Sequence, residues 1–265
     1  MRFTPKAPDE SVNYSRENPL REALLLVAIV ASLGAALLLS AGWIAEELIV
    51  RVPPAWESSL FGFVSKEFPP ADDDRARRVA ALLDDLDAER GVDLTLRVMD
   101  KKDLNAFAAP GGLIVVTTGL LDAVQSENEL AFVLGHELGH FRHRDHLRAL
   151  GRRLAMSLAL SAASSAVGAD VSSLGWIESL AELRFSRGQE LEADAWGLEL
   201  VARRYGHVAG AASFFDRLPR ATSPVAKTAE SFLSTHPISE ERIRRVHELA
   251  DRRGWAQTGS LTTFR

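Results

Sequence analysis

Cysteine is absent from all 265 residues. That excludes a disulfide framework, thiolate zinc ligands and a lipid-modified N-terminal cysteine, and it leaves the redox compartment open. A strong excess of one charge is missing too: 31 Lys and Arg stand against 36 Asp and Glu, a formal net charge of −5. Nucleic-acid binding normally needs a clustered basic footprint, so no nucleic-acid partner is expected. No internal repeat of useful length is visible. With 46 % hydrophobic and 25 % charged residues, the chain has ordinary globular composition and length for one good core.

Long uncharged runs are scarce, and one stands apart. Residues 23–45, "ALLLVAIVASLGAALLLSAGWIA", carry no charge. As a helix this run is about 34 Å long, enough for a hydrocarbon core of about 30 Å. Trp43 falls where an interfacial aromatic is expected. The length argues against a buried core helix, and the long mixed-charge leader argues against a cleaved signal peptide. A retained single-pass anchor in the lipid bilayer is the expectation. Arg2, Lys6, Arg16 and Arg21 precede the run and only Arg51 closely follows it, which places leader 1–22 in the cytoplasm and the rest across the membrane. A second uncharged run, 154–169, is short for a span and interrupted by four serines. It reads as a buried or membrane-facing helix, with a second span as the alternative.

Residues 46–71 hold two Pro-Pro pairs and read as an extended linker. A helix is expected from the acids at 72–74 to Gly91, followed by a strand alternating Val92, Leu94, Leu96 and Val98. "NAFAAPGG" reads as a turn and "LIVVTTG" as a second strand. Ser126 with Glu129, and Ser186 with Gln189, match capping boxes that open two helices, the second stopping at Gly206. Shorter helices are expected around 209–218 and 225–233. After a break at "STHP", a last helix runs to Gly254. The fold class is α+β, mainly α-helical, with a small sheet and an N-terminal transmembrane helix. The folded domain covers 72–255 and a tail covers 256–265.

Histidine is scarce as well, yet four of the seven fall in "HELGHFRHRDH". Within it His136, Glu137 and His140 form H-E-x-x-H. Side chains four apart on a helix lie one above the other, so both imidazoles can aim at one metal ion. Glu137, about 100° further round, is placed to take a proton from an activated water rather than to chelate. Leu130, Leu134, Leu138 and Phe141 supply a core-facing stripe. Gly135 and Gly139 cost about 1 kcal/mol each in a helix, which suggests that something packs closely there. His143 and His146 lie among arginines that would repel a cation, and read as exposed or as supporting groups. A catalytic zinc takes three protein ligands and keeps one open position. Without cysteine the third ligand must be Glu, Asp or His. The helix from Ser186 offers Glu190, on one face with Ala193, Asp194 and Gly197, whereas Glu192 points away. Glu190 on the metal with Asp194 bonded to a ligand imidazole is one reading. A solvated acidic helix face is the other.

"HELGH", "SRGQELEADAWG", "STHP" with "RI" shortly after, and "NAFAAPGGLIVVTTGLL" upstream resemble the HtpX and CAAX-prenyl-protease-like family of membrane-associated zinc metallopeptidases. The resemblance spans roughly residues 94–246. It implies a zincin-like α+β domain holding one Zn2+ per subunit. His136, His140 and Glu190 would be the ligands, Glu137 the general base and Asp194 the carboxylate behind a ligand. It also implies that the strand Leu113, Ile114, Val115, Val116 and Thr117 is the edge to which an extended polypeptide pairs. His236 would either donate to the oxyanion or act as a fourth ligand, with a simple helix-entry histidine as the plain alternative. Having one clear span, the chain suits single-anchor bacterial relatives better than the multi-span branches. The expected function is a metalloendopeptidase of the bacterial inner membrane, its catalytic domain extracytoplasmic, acting on membrane or misfolded envelope proteins. A zinc-binding holdase and a structural membrane scaffold are the alternatives.

Overall fold

The structure is a computed structural model describing residues 18–70, 73–87, 94–166, 180, 183–217 and 229–264. The uncharged run of residues 23–45 lies within helix α1 (Pro19–Ile49), which Asn18 caps by accepting from Leu20 N and which has proline in its first turn. Its apolar window has a mean hydropathy of 2.6 and none of that window is buried, so the helix is long and apolar enough to cross a membrane.

The linker expectation is corrected. Instead of an extended segment, α1 continues to Ile49, α2 covers Pro54–Phe61, and a 3-10 turn follows at Val64–Glu67. A proline in the first helical turn lacks an N–H that would be unpaired anyway, so the Pro-Pro pair opens α2. Glu57 fastens this segment to the domain. Its buried carboxylate accepts from Arg144 Nη2 at 2.9 Å, His146 Nε2 at 2.9 Å and Gly111 N at 3.2 Å.

Helix α3 (Asp74–Leu86) is capped by Asp73 and buries Val79, Leu82, Leu83 and Leu86. It ends at Leu86 with Asp87 as C-cap, short of the expected stop at Gly91, which lies outside the described residues. Three strands follow: β1 (Thr95–Met99), β2 (Ala106–Ala109) and β3 (Leu113–Thr117). Their order is β1-β3-β2, with β1 parallel and β2 antiparallel to β3. Part of the expected "NAFAAPGG" turn is therefore strand. The reversal is confined to Pro110, Gly111 and Gly112, and the φ values of +88° and +78° at the two glycines favour glycine.

The edge-strand expectation is also corrected. Leu113, Ile114, Val115, Val116 and Thr117 form the central strand, paired on both sides. Their unbroken apolar run is the pattern of a strand covered on both faces. Ile114 and Val116 join a core with Leu83, Leu130 and Phe132, whereas Leu113 and Val115 pack with Phe107, Ala149 and Leu150. The edge beside the histidine helix is β2.

The remaining helices among the described residues are α4 (Thr118–Ala123), α5 (Glu127–Arg142), α6 (Asp145–Ala166), α7 (Arg187–Tyr205), α8 (Ser213–Arg217), α9 (Glu230–Thr235) and α10 (Glu240–Arg253). The box at Ser186 is complete, and Gly206 ends α7 with a φ of +75°. At Ser126 only half forms: its side chain accepts from Glu129 N, while the Glu129 carboxylate binds Gln125 N and Arg217. The second uncharged run is the distal part of α6, with residues 167–169 outside the described set. The short helix expected near 209–218 is represented by α8, and of the one expected near 225–233 the described residues show α9, which runs on to Thr235; residues 218 and 225–228 lie outside the described set.

α5 and α7 cross unusually closely. A Cβ on Gly139 would lie 2.8 Å from Ala193 Cα, and one on Gly135 would lie 2.9 Å from Gly197 Cα. For Gly139→Ala, helix propensity gains about 1 kcal/mol while overpacking against backbone costs about 1–3 kcal/mol. The thermal midpoint should drop by about 2–4 °C, and an unchanged or higher midpoint would contradict the close approach.

Acid stability offers a second check. Burial raises the Glu57 carboxyl, but His146, Arg144 and the Gly111 N–H outweigh it and hold it below the usual 4.5. A depressed folded value means the stabilisation is complete above the unfolded value and lost as pH falls through the folded one. Denaturation midpoints taken from about pH 6 to about pH 3 should therefore fall less steeply in Glu57→Gln than in wild type; parallel curves would exclude this linkage.

Candidate metal centre

α5 sets His136 and His140 one turn apart, and α7 sets Glu190 and Asp194 likewise. His236 follows α9 directly. His136, His140, Glu190 and His236 each offer one ligand atom, all within 4.8 Å of one another, and all four side chains are buried. His140 Nε2 lies 3.1 Å from His136 Nε2, and His236 Nδ1 lies 3.2 Å from both His136 Nε2 and Glu190 Oε1. Glu190 oxygens stand 3.5 Å from each Nε2 of His136 and His140. Bonds of about 2.0–2.1 Å to a tetrahedral ion imply ligand separations of about 3.3–3.4 Å. The four donors thus bracket the spacing that such an ion requires.

Each histidine on α5 has its own carboxylate behind it. His136 Nδ1 meets Asp194 Oδ1 at 2.9 Å, and His140 Nδ1 meets Asp145 Oδ2 at 2.9 Å. Donation from Nδ1–H turns both Nε2 atoms inward and fixes the tautomer. The carboxylates are braced in turn. Asp145 accepts from Gln189 Nε2 at 2.6 Å, and Asp194 takes Arg242 Nε at 2.9 Å and Nη2 at 2.7 Å. Arg242 Nη1 also donates to Pro237 O at 3.0 Å and sits 2.5 Å from Glu190 Oε2, an ion pair outside hydrogen-bond alignment. One guanidinium therefore ties α10, α7 and the His236 segment together.

Burial pushes His136 down, with Asp194 opposing and the charge of His140 adding to the fall. Burial also pulls on His140, but Asp145, Glu190 and Glu137 outweigh it and raise it to about 9. Glu190 and Asp194 both lie below the usual carboxylate range: burial opposes this, and histidines, with Arg242 at Asp194, prevail.

Glu137 is held at one oxygen. Its Oε2 accepts from Ala108 N of β2 at 3.0 Å. Its Oε1 has no hydrogen-bond partner and faces His236 Nε2 at 3.5 Å, which is also unpartnered. Unpaired polar atoms buried at one point are costly unless a ligand completes them. Phe185 stacks on His140 with centroids 3.9 Å apart, closing the other side with an apolar ring.

The structure brings together every expected polar residue: His136, Glu137, His140, Glu190, Asp194 and His236. Glu192 is exposed, as its helical face implied. The reading of His146 as exposed or supporting the ligands is corrected. It is fully buried, bonded to Glu57 and stacked on Phe141. Asp145, Gln189, Arg242 and Ala108 were not anticipated. Asp145 sits inside "FRHRDH", where the arginines dominate the reading, and the only signal for Arg242 is the "RI" after "STHP".

A histidine pair and a carboxylate able to bind one metal ion, with a free glutamate oxygen beside it and a short sheet alongside, define a metallopeptidase centre. The comparison with known proteins agrees: Peptidase family M48 matches residues 72–250, more than half of the chain, and the chain belongs to that family. It is 33 % identical to metalloprotease LoiP of Escherichia coli over 68 % of this chain and 72 % of that protein. Identity to metalloprotease YcaL of the same organism is 33 %, over 60 % of this chain and 63 % of the relative. Mitochondrial metalloendopeptidase OMA1 of Schizosaccharomyces pombe is 36 % identical over 58 % of this chain and 45 % of its own length.

Carboxylates behind ligand histidines typically matter 10- to 100-fold in metal affinity. Asp194→Asn and Asp145→Asn should each weaken metal binding by about that factor in competition with a chromogenic chelator, and wild-type affinity would refute the positioning role.

Proposed function

We propose that this M48 peptidase is a membrane-anchored zinc endopeptidase that cuts membrane or misfolded envelope proteins. The observation that carries the catalytic part is the convergence of His136, His140 and Glu190 with a Glu137 oxygen left free beside them. Two imidazoles and one carboxylate are a donor set suited to a catalytic zinc, one per chain. When bound, zinc supplies Lewis acidity that polarises a carbonyl and makes water acidic near neutral pH.

The chain's own groups do the rest. Glu137 takes a proton from water at Oε1 and passes it to the departing amine, while the Ala108 N–H holds Oε2. Asp194 and Asp145 keep the two ligand imidazoles in one tautomer. β2, Ala106–Ala109, is the edge along which an extended polypeptide can lie by backbone hydrogen bonds, its alanines leaving room for substrate side chains. His236 places Nδ1 among the ligand atoms, which favours a fourth-corner role in this closed arrangement over a donor already aimed at an oxyanion.

α1 supports membrane anchoring, and the Lys/Arg bias around it supports a peptidase domain outside the cytoplasm of a bacterial inner membrane. One long apolar helix among the described residues suits the single-anchor members more than the HtpX and prenyl-protease branches.

The decisive comparison is wild type beside Glu137→Gln, with zinc content and degradation of unfolded casein measured on each. The variant should keep its zinc and lose activity by about 10²–10⁴-fold. Full activity in the zinc-loaded variant would remove Glu137 from the chemistry. Zinc-loaded wild type that binds but never cleaves polypeptide would replace the endopeptidase with a holdase.

A further inference from the structure

The metal centre leaves one apolar surface unused. α6 starts at Asp145, which orients His140, and continues to Ala166. Its first half is charged and docked on the end of α1. Arg148 and Arg152 approach Glu46 at 4.0 and 2.8 Å, and Gly151 is so close that an added Cβ would meet Ala45 O at 3.0 Å. Arg144, just before α6, donates to Val50 O. Rising numbers on α6 therefore meet falling numbers on α1, and the two helices pack antiparallel. On both, charge stops at one level. Above Glu46, α1 has none back to Glu22; beyond Arg153, the sequence has none until Asp170. In that stretch Leu154, Met156 and Leu158 are 40, 58 and 71 % exposed.

We propose that the distal half of α6, from Leu154 onward, enters the lipid bilayer beside α1, so that acyl chains cover the apolar side chains it leaves exposed on either side of that contact. This rests on α1 being a membrane span. Leu154 and Leu158 on one side of α6 and Met156 on the other, beside an unburied apolar helix and below a shared belt of Glu46 with Arg148 and Arg152, match a headgroup boundary followed by hydrocarbon. The thirteen residues from Leu154 to Ala166 reach about 20 Å, less than the roughly 30 Å core, so the described part of α6 enters without crossing. From Asp145 to Arg153 the helix rises about 12 Å. The metal centre is thereby held a short distance above the membrane, within reach of substrate segments just outside it.

The chain has no native cysteine, so single cysteines report without background. Leu158→Cys and, as a second reporter, Met156→Cys are compared in the full chain in phosphatidylcholine proteoliposomes. Leu33→Cys on α1 and Arg252→Cys on exposed α10 serve as references. Each is reacted with an impermeant maleimide, or carries an environment-sensitive fluorophore challenged with doxyl-labelled phosphatidylcholine. Positions 156 and 158 should resemble position 33: labelled at least about tenfold more slowly than position 252, and quenched by the doxyl lipid. If position 33 is shielded while 156 and 158 label as fast as 252, the α6 proposal falls and the α1 span stands. If position 33 also labels fast, the span itself is wrong and this proposal goes with it. Shielding without lipid quenching would assign the face to a second copy of the chain and overturn the proposal.

Discussion

The close crossing of α5 and α7 is the constraint on which the centre depends. Glutamate and histidine side chains are short, and their ligand atoms must converge to separations near those of a tetrahedral ion. Gly135 and Gly139 against Ala193 and Gly197 let two backbones approach to distances that no larger residue permits. Each glycine forgoes about 1 kcal/mol of helix propensity, which is offset by what the approach allows. A separation wider by an ångström would carry Glu190 away from both Nε2 atoms and Asp194 away from His136. The α9–α10 segment then closes the centre from a third direction, with Arg242 bonded to the same Asp194.

Charge explains why so many polar groups tolerate full burial. Glu137, Glu190, Asp194 and Asp145 are gathered around the three histidines of the centre, each with at most a few per cent of its surface exposed. Arg242 balances only part of that negative charge. Buried carboxylates left uncompensated are strongly destabilising, so a divalent cation fits the electrostatics as well as the geometry. Because such a site hardly exists in an unfolded chain, ion binding and folding of the α5–α7 pair are thermodynamically linked.

How much of this was legible in the sequence depended on the range of each interaction. His136, Glu137 and His140 follow from helical spacing within five residues, and Glu190 with Asp194 from a shared face of one turn. Even the close packing was foreshadowed, because two glycines inside a helix need a reason. Sheet order is different: whether "LIVVT" is an edge or the centre depends on β1 and β2, and the second of these is an alanine-rich tetrapeptide with little strand propensity. Its small residues are set by the need to pass near α5, a tertiary demand with no local pattern. The helical linker was hidden for the opposite reason, since paired prolines signal either a break or the first turn of a helix. Asp145 and Arg242 act across long sequence distances or through neighbours of opposite charge, and residue type alone does not announce such roles.

The junction between α5 and α6 joins these observations. Arg144 is the one non-glycine with positive φ among the described residues, at +60°. A left-handed residue with a side chain costs roughly 1–2 kcal/mol, and Arg144 recovers this through its guanidinium. That group donates to the carbonyls of Val50 and Val52 and to the carboxylate of Glu57. The turn that sends α6 back alongside α1 is therefore stabilised by the end of α1 itself. Asp145, the next residue, receives His140 Nδ1–H. The contact that holds the end of α1 and the contact that sets a ligand imidazole fall on adjacent residues. Displacement of α1 relative to the domain would consequently be felt first at the α5 end of the metal centre, where a single peptide bond joins the two residues concerned.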